Sequence, residues 1–565
     1  MSFRFKSWSL AVLVIVLLSS GALAGCGDDG GGDQTPTRSG ERIEGGELTV
    51  RSVEFSSLDP HFSAFFEDIS LQRMLWRGLY TMDRDNVPQP AMASAPPDVS
   101  ADGLTYTVKL RDGLKWSDGD DLTADDFVAG IHRTCNPDNG GQYEYLLANI
   151  AGCDTHYSSE PGFDDTLEGE IGVHAIGATT VEYKLIDPQP TFPIILSLWV
   201  TFPSPVHLLP NSSDTWPSGP EAPGELAYNG PYILTGYSSG DNVTLEPNPE
   251  WAAPAGVRPS LDRITIKFID DLAVAANAYR SGEIDATGAN VTQLDSLISE
   301  FGEGEEYFKS LSPATSGLYL QLEKPPLDKL DVRLALSRAI DRAEIARVVG
   351  QGAYEPTTTW IPETSGGLAP DAFVDAVGFD PEKARDNLTK AGFPNGEGFP
   401  ELTILALANP SSRFTAEFLQ QAFKTHLNID VKIEVVDPPT QADLFFEEQY
   451  EITFNGWVQD YPDPENWVLG QFDSTGTANH VNCNDPDIDA LVEKARFNPD
   501  DAERLGQYRE INELIVTRLC GVIPTRHDNN HWLIKPSIVG MRENLAGQDG
   551  LAPGDWASEY WGLSE

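Results

Sequence analysis

The chain has 565 residues and carries 87 Asp and Glu against 38 Lys and Arg, a formal net charge of −49. That balance argues against nucleic acid as a partner and against any electrostatic hold on anionic lipid. The length is several times the commonest domain size, so two or more compact bodies are expected, and 12 Trp among 10% aromatics suffice for a core and an aromatic-lined site.

At the amino end Arg4 and Lys6 precede an apolar run from Leu10 to Leu18 and the small residues Ser19, Ser20, Gly21 and Ala22. The run is about half of the roughly 20 residues a membrane-spanning helix needs. Basic start, short apolar middle and small residues make an export signal over 1–25. Leu23-Ala24-Gly25-Cys26 resembles the lipobox of bacterial lipoproteins, which implies acylation of Cys26 as the first mature residue. The alternative is an ordinary secretory signal with an incidental Cys26. Residues 26–45, rich in Gly and Asp, have almost nothing apolar to bury and read as a flexible tether.

Beyond the tether, strand-like and helix-like segments alternate. Leu104 to Arg111 alternates apolar and polar residues, as do Ile264 to Phe268 and Ile429 to Val435, and each predicts a half-buried strand. Four further cysteines follow the export signal, and sequence proximity favours Cys135–Cys153 and Cys483–Cys520 disulfides. A second reading of the first pair is a Cys2His2 zinc set, because His132-x-x-Cys135 and Cys153-x-x-His156 have plausible ligand spacing. Gly236-Tyr-Ser238-Ser-Gly240 matches the nucleophile elbow of serine hydrolases, yet two β-rich runs flank it, which predicts a hairpin. The chain has no Gly-Lys dipeptide and hence no Walker A loop.

Helix signals are strong in the second half. Asp341 and Glu344 form a capping pattern, and Asp380 with Pro381 opens a helix that Gly392 ends. Residues 502–519 place Leu505, Tyr508, Ile511, Leu514 or Ile515, and Leu519 on one face. Asp485-Pro-Asp487-Ile-Asp489 mimics a calcium loop, but Ala490 and Arg496 stand where Gly and Glu are needed, so a helix start is expected.

Between these lies GWVQDYPDPENW, residues 456–467, where Asp460, Asp463 and Glu465 sit among Trp457, Tyr461 and Trp467. Read alone, it is either a proline-stiffened turn or a carboxylate with aromatics around a ligand.

LTYTVKLRDGLKWSDGDDLTADDFVAGI (104–131) resembles the signature of the family 5 solute-binding proteins of ABC transporters, the dipeptide and oligopeptide class. Leu58-Asp59-Pro60, NGPYIL (229–234), YRSGEIDA (279–286), DVRLALSRAIDRAEI (331–345) and DPEKARDNLTKAGFP (380–394) continue the match in order. The resemblance implies an α/β, two-lobed periplasmic-binding-protein-like fold, type II and cluster C like, with an additional inserted domain and a hinge. Lobe 1 is expected from 46–80, 186–312 and 526–565, the inserted domain from 81–185, and lobe 2 from 313–525. Trp116 and its neighbours in the signature are expected to be scaffold. It further implies a peptide ligand, ABC permease subunits as partners, a lipid-anchored monomer on the extracytoplasmic face, and no cofactor, metal or nucleic acid. Some members of the family take oligosaccharides, nickel complexes or haem instead. A serine hydrolase, carried only by Ser238, is the remote alternative.

In the peptide-binding members an Asp of this segment pairs with the ligand's ammonium group and the neighbouring Trp lines a side-chain pocket. The resemblance therefore implies Asp460 as the grip, with Trp457 and Tyr461 as walls, and leaves Asp463 and Glu465 to shape the turn or face solvent. Trp360, Asn479, Arg413 and Phe66 are further cleft candidates by segment position, and Phe65 and Glu67 adjoin the last.

Membrane attachment tests the leader. A Cys26→Ala protein is expected to be released from membranes, because acyl chains contribute about 0.8 kcal/mol per buried CH₂ and this acidic chain has no electrostatic substitute. Retention of that variant on salt-washed membranes would overturn the lipoprotein reading.

Overall fold

The computed structural model describes residues 41–83, 87–141, 143–157, 169–476, 478–542 and 552–565, so the export signal, Cys26 and most of the tether lie outside the described residues. Its main strands are β1 (Glu47–Ser52), β2 (Thr105–Lys109), β3 (Thr180–Lys184), β4 (Tyr232–Ser238), β5 (Asn242–Pro247) and β6 (Arg263–Phe268). They continue as β7 (Ala286–Gly288), β8 (Tyr307–Leu320), β9 (Leu402–Leu407), β10 (Val431–Val436), β11 (Ile452–Val458) and β12 (Val522–Ile534). All but β2 and β3 join one sheet in the order β10-β9-β11-β8-β12-β7-β1-β6-β5-β4.

Each half of that sheet contains a parallel unit closed by a helix. Leu272–Ser281 connects β6 to β7, which both flank β1 in parallel, and Pro410–Leu427 connects β9 to its parallel neighbour β10. In the middle, β8 and β12 run antiparallel and are long enough to serve both halves, with 14 and 13 residues. Tyr307 to Leu311 pair with Leu533 to Asn529, next to β7; Thr315 to Tyr319 pair with His527 to Val522, next to β11. Between Leu311 and Thr315 the register shifts, and it shifts again between Ser316 and Gly317. At the second shift the backbones nearly touch: a Cβ on Gly317 would lie 2.3 Å from the Ile523 carbonyl oxygen.

Two large hydrophobic cores flank this junction. The first gathers Leu48, Val50, Trp76, Trp116, Trp199 and Trp561, and the second Leu318, Leu336, Trp360, Ile452, Trp467 and Ile515. Strands β2 and β3 form a separate antiparallel sheet with Asp98–Val99 and Val173–Ala175, and their inward residues Val108 and Val181 belong to the first core. Trp116, at 0% exposure, is core, in keeping with a scaffold role for the signature segment. A third, smaller core packs Tyr279, Leu297 and Leu533 beside β7.

The helix starts sit where the capping residues predict. Asp341 accepts from Glu344 N at 3.0 Å, Asp380 from Lys383 N at 3.0 Å and Asp485 from Asp487 N at 3.0 Å. The last contact opens helix Pro486–Arg496 and disposes of the calcium-loop look-alike. Ser238 ends β4, where it pairs with Asn242 of β5 on an exposed hairpin, so the strand-to-helix context of a nucleophile is absent there. No helix among the described residues is long and apolar enough to cross a membrane.

Both expected disulfides are present, Cys135–Cys153 and Cys483–Cys520, each with Cα atoms 5.2 Å apart. The zinc alternative fails because its thiols are bonded to each other. Replacing Cys483 and Cys520 by Ser is expected to cost about 2–4 kcal/mol, since the bridge closes a long loop in the unfolded chain. Urea unfolding of the double variant measures this, and an unchanged midpoint would contradict it.

Candidate ligand-binding site

Strand β11 delivers the candidate segment to the lobe junction. It pairs with β8 up to Trp457 opposite Thr315 and Val458 opposite Ala314, and Gln459 N then donates to the Pro313 carbonyl at 2.9 Å. Beyond that point the chain leaves the sheet, and Asn466 holds it. The Asn466 Oδ1 accepts from Trp457 Nε1 at 3.1 Å and from Asp460 N at 2.9 Å, while its Nδ2 donates to Asp460 Oδ2 at 2.9 Å. One amide thus orients both the aromatic wall and the carboxylate.

Asp460 opens into a cavity of about 470 Å³. Trp457, Val458 and Gln459 line it from β11, and Phe66, Ile69 and Arg73 line it from the helix Phe66–Leu75. Tyr143 and Trp199, in T-shaped contact at 4.9 Å, complete the first-core side. Burial pushes the Asp460 carboxyl up to about 6, against the pull of hydrogen bonds from Asn466 and Tyr143 and of the nearby Arg73 guanidinium. A carboxylate so enclosed gains strongly from a cationic partner, because water screens the pair far less than in bulk.

The neighbouring residues go the opposite way. Tyr461 is fully buried and packs into the first core, whereas Trp467 and Val468, a few residues on, belong to the second. The segment therefore bolts the two cores together, and Tyr461 is a buried bolt, absent from the cavity wall. Asp463 accepts Glu465 N at 2.9 Å and so shapes the short helical turn Pro464–Trp467, as expected. It is also buried in a bidentate ion pair with Arg504, with 2.9 Å from Nη1 to Oδ1, so it does not face solvent. Glu465, at 0% exposure, accepts from Thr191 Oγ1 at 2.7 Å, a contact between the second-core segment and the first core beside Phe192. Burial, with the Asp463 charge second, holds its carboxyl well above the usual carboxylate range.

Three other candidates are not at the cavity. Trp360 lies at 0% exposure in the second core, its indole donating to the Trp467 carbonyl at 3.0 Å. Asn479 staples the loop at Cys483, accepting from Cys483 N at 2.9 Å and donating to Cys483 O at 2.8 Å. Arg413 is exposed on the helix Pro410–Leu427. Segment position misled in each case, since it carries no information on which way a side chain points. Phe66 does line the cavity, while Phe65 caps its helix at 59% exposure. Sequence reasoning missed Asn466, Arg73, Tyr143 and Trp199; only Asn466, six residues after Asp460, left any local signal.

A profile of the bacterial extracellular solute-binding proteins, family 5 Middle, matches residues 87–479. The chain belongs to that family. Among family 5 relatives, the oligopeptide-binding protein OppA of Bacillus subtilis is 24% identical over 548 residues, covering 95% of this chain and 97% of the relative. The periplasmic oligopeptide-binding protein OppA of Escherichia coli is 26% identical over 499 residues, covering 86% and 88%. The solved structure of the Escherichia coli murein tripeptide binding protein MppA superposes with a TM-score of 0.78 at 24% identity, over 93% of this chain and 99% of that one. The fold is the two-lobed, mixed α/β architecture of family 5.

Glu465 offers a test of the bolt. Its folded pKa lies above the unfolded value of about 4.3, so the contribution of this group to stability is fully present below that value and is lost as pH rises towards the folded one. Glu465→Gln keeps the neutral form at every pH and is expected to raise the melting temperature at pH 8 with little change at pH 4. Equal melting shifts at both pH values would refute a buried, neutral-preferring Glu465.

Proposed function

We propose that this protein captures short peptides in the cleft between its lobes and delivers them to the permease subunits of an ABC importer. It does so as a binding protein, a monomer without cofactor, tethered to the extracytoplasmic face of the membrane through an acylated Cys26. Residues 46–80, 186–312 and 526–565 make lobe 1, 81–185 the inserted domain and 313–525 lobe 2. The two register shifts between β8 and β12, at the 312/313 and 525/526 boundaries, support this division. A break in the ladder is where a pair of strands bends most readily, and closure about it would bring Asp460 onto the ligand.

The observation that carries the peptide reading is Asp460 itself: a carboxylate with raised pKa in a cavity walled by Phe66, Trp199 and Trp457. An unblocked peptide brings an ammonium group to that carboxylate and a side chain to the aromatic walls. Main-chain hydrogen bonds and roomy walls allow unlike peptides to bind in one register. The names of the OppA relatives, oligopeptide-binding proteins, support the same ligand class.

Losing one partner of an enclosed charge pair costs about 2–5 kcal/mol. Asp460→Asn is therefore expected to weaken unblocked peptides by roughly 30-fold or more, and amino-terminally acetylated peptides should bind poorly to both forms. Affinity for unblocked peptides should fall below pH 6 as Asp460 takes up a proton. It should also fall above about pH 8 as the peptide amine loses one. The acid limb should vanish in Asp460→Asn. Calorimetric titration across pH reads each of these, and equal affinity for acetylated and free peptides would remove Asp460 from the site.

A further inference from the structure

Beside β12 the chain makes a further connection between the lobes proposed above. On the edge of β12 away from β8, β7 pairs with Trp532 to Ile534, and the two-residue strand Glu355–Pro356 pairs with His527 and Arg526. The stretch between these pairings, residues 528–531, falls at the first interruption of the β8 ladder. Ala353 of lobe 2 occupies it: its carbonyl accepts from Asn529 Nδ2 at 2.8 Å and from His531 Nε2 at 3.2 Å. We infer that residues 350–356 are a strap across the hinge, which ties lobe 2 to lobe 1 at Ala353, limits how far the cleft opens without ligand, and so sets peptide affinity without touching the peptide. The inference rests on the lobe division and the peptide reading above.

The strap is gripped on both sides of the break. A carbonyl only accepts, so Nε2 of His531 carries the proton and Nδ1 is left to accept from Tyr307 Oη at 2.7 Å. Burial lowers the His531 pKa and thereby favours the neutral ring that this arrangement needs. Ala353 lies in the third core, whose other buried members, Tyr279, Leu297 and Leu533 among them, all belong to lobe 1. One residue on, the Tyr354 ring lies 3.7 Å from the Arg526 guanidinium, which also covers Phe454 of β11 at 4.9 Å. Arg526 Nε donates to Asp528 at 2.8 Å, and Asp528 accepts from Ser316 Oγ at 2.5 Å, beside the second interruption.

The surroundings leave this anchor free to act as a joint. The helices on either side, Leu294–Phe301 of lobe 1 and Arg342–Val348 of lobe 2, are separated by a groove of about 570 Å³ lined by Asp295, Ala346, Arg347 and Gln351. Rotation about Ala353 therefore breaks no packed interface between them. The turn that enters the strap is fixed in shape, with Gln351 and Gly352 at φ of +50° and +84°, and a Cβ on Gly350 would lie 2.3 Å from the Tyr354 ring. A turn so constrained passes a pull on Ala353 directly to the helix before it. Removing the bonds at Ala353 shifts the balance towards the open form, and apparent affinity falls with the fraction of protein that is competent to close.

The test combines small-angle scattering with calorimetric titration of the purified protein, with Ala-Leu-Ala as the probe. Asn529→Leu and His531→Phe each remove one donor to the Ala353 carbonyl. Tyr354→Leu removes the ring beside Arg526 and keeps both of those bonds, which covers the case in which the first two fail to fold. Without peptide the variants are expected to have a larger radius of gyration than the wild type, and with saturating peptide the difference should vanish. Affinity should fall about five- to ten-fold. A merely structural role would lower the melting temperature and leave radius and affinity unchanged. A free-state radius or an affinity equal to that of the wild type in every folded variant overturns the strap and leaves the Asp460 grip standing. Failure of the folded wild type to bind the peptide overturns the peptide reading, while the radii of the free variants still decide whether the strap restrains the lobes.

Discussion

The pairing of β8 with β12 is the constraint on which the rest depends. These two strands belong to both halves of the sheet, so the halves cannot be independent bodies joined by a loose linker. Their ladder is interrupted at Leu311–Thr315 and Ser316–Gly317, where hydrogen bonds that would resist bending are missing or shifted. Every element placed relative to β8 inherits that junction. β11 is the chief of these: antiparallel pairing beside Thr315 and Ala314 leaves its end at the break, with Asp460 just past it.

Around that end the chain manages three carboxylates and two guanidinia in little water. Asp463 is ion-paired with Arg504, Glu465 accepts from Thr191 and is biased by burial towards its protonated form, and Asp460 lines the cavity beside Arg73. The carboxylate in the bidentate ion pair is structural, whereas Asp460, held by Asn466, faces a cavity. Such a division follows from desolvation: a buried charge is tolerated only when paired or neutralised.

Much of the fold was legible residue by residue. Alternation identified β2, β6 and β10, the Asp caps at 341, 380 and 485 marked helix starts, and the spacing of the cysteines gave both disulfides. Those features depend on contacts among residues near in sequence, or on a choice among three cysteine pairings that proximity settles. The site was legible only in part. Asp460, Trp457 and Phe66 line one cavity, but Tyr461 turned out to be core, and Trp360, Asn479 and Arg413 serve or sit elsewhere. Arg73, Tyr143 and Trp199 reach Asp460 from positions more than 250 residues earlier in the chain, and no local pattern announces such a meeting.

By itself the sequence determined the acidic balance, the secondary-structure periodicities and, through its ordered motifs, the family. These are properties of composition and of short-range spacing. Which of three carboxylates within six residues lines the cavity, pairs with Arg504 or bonds to Thr191 was decided only by tertiary structure. Within a turn stiffened by Pro462 and Pro464, successive side chains point in unrelated directions, and the surroundings of each depend on what distant segments bring to it: Arg73 and Tyr143 to Asp460, Thr191 to Glu465, and Arg504 to Asp463.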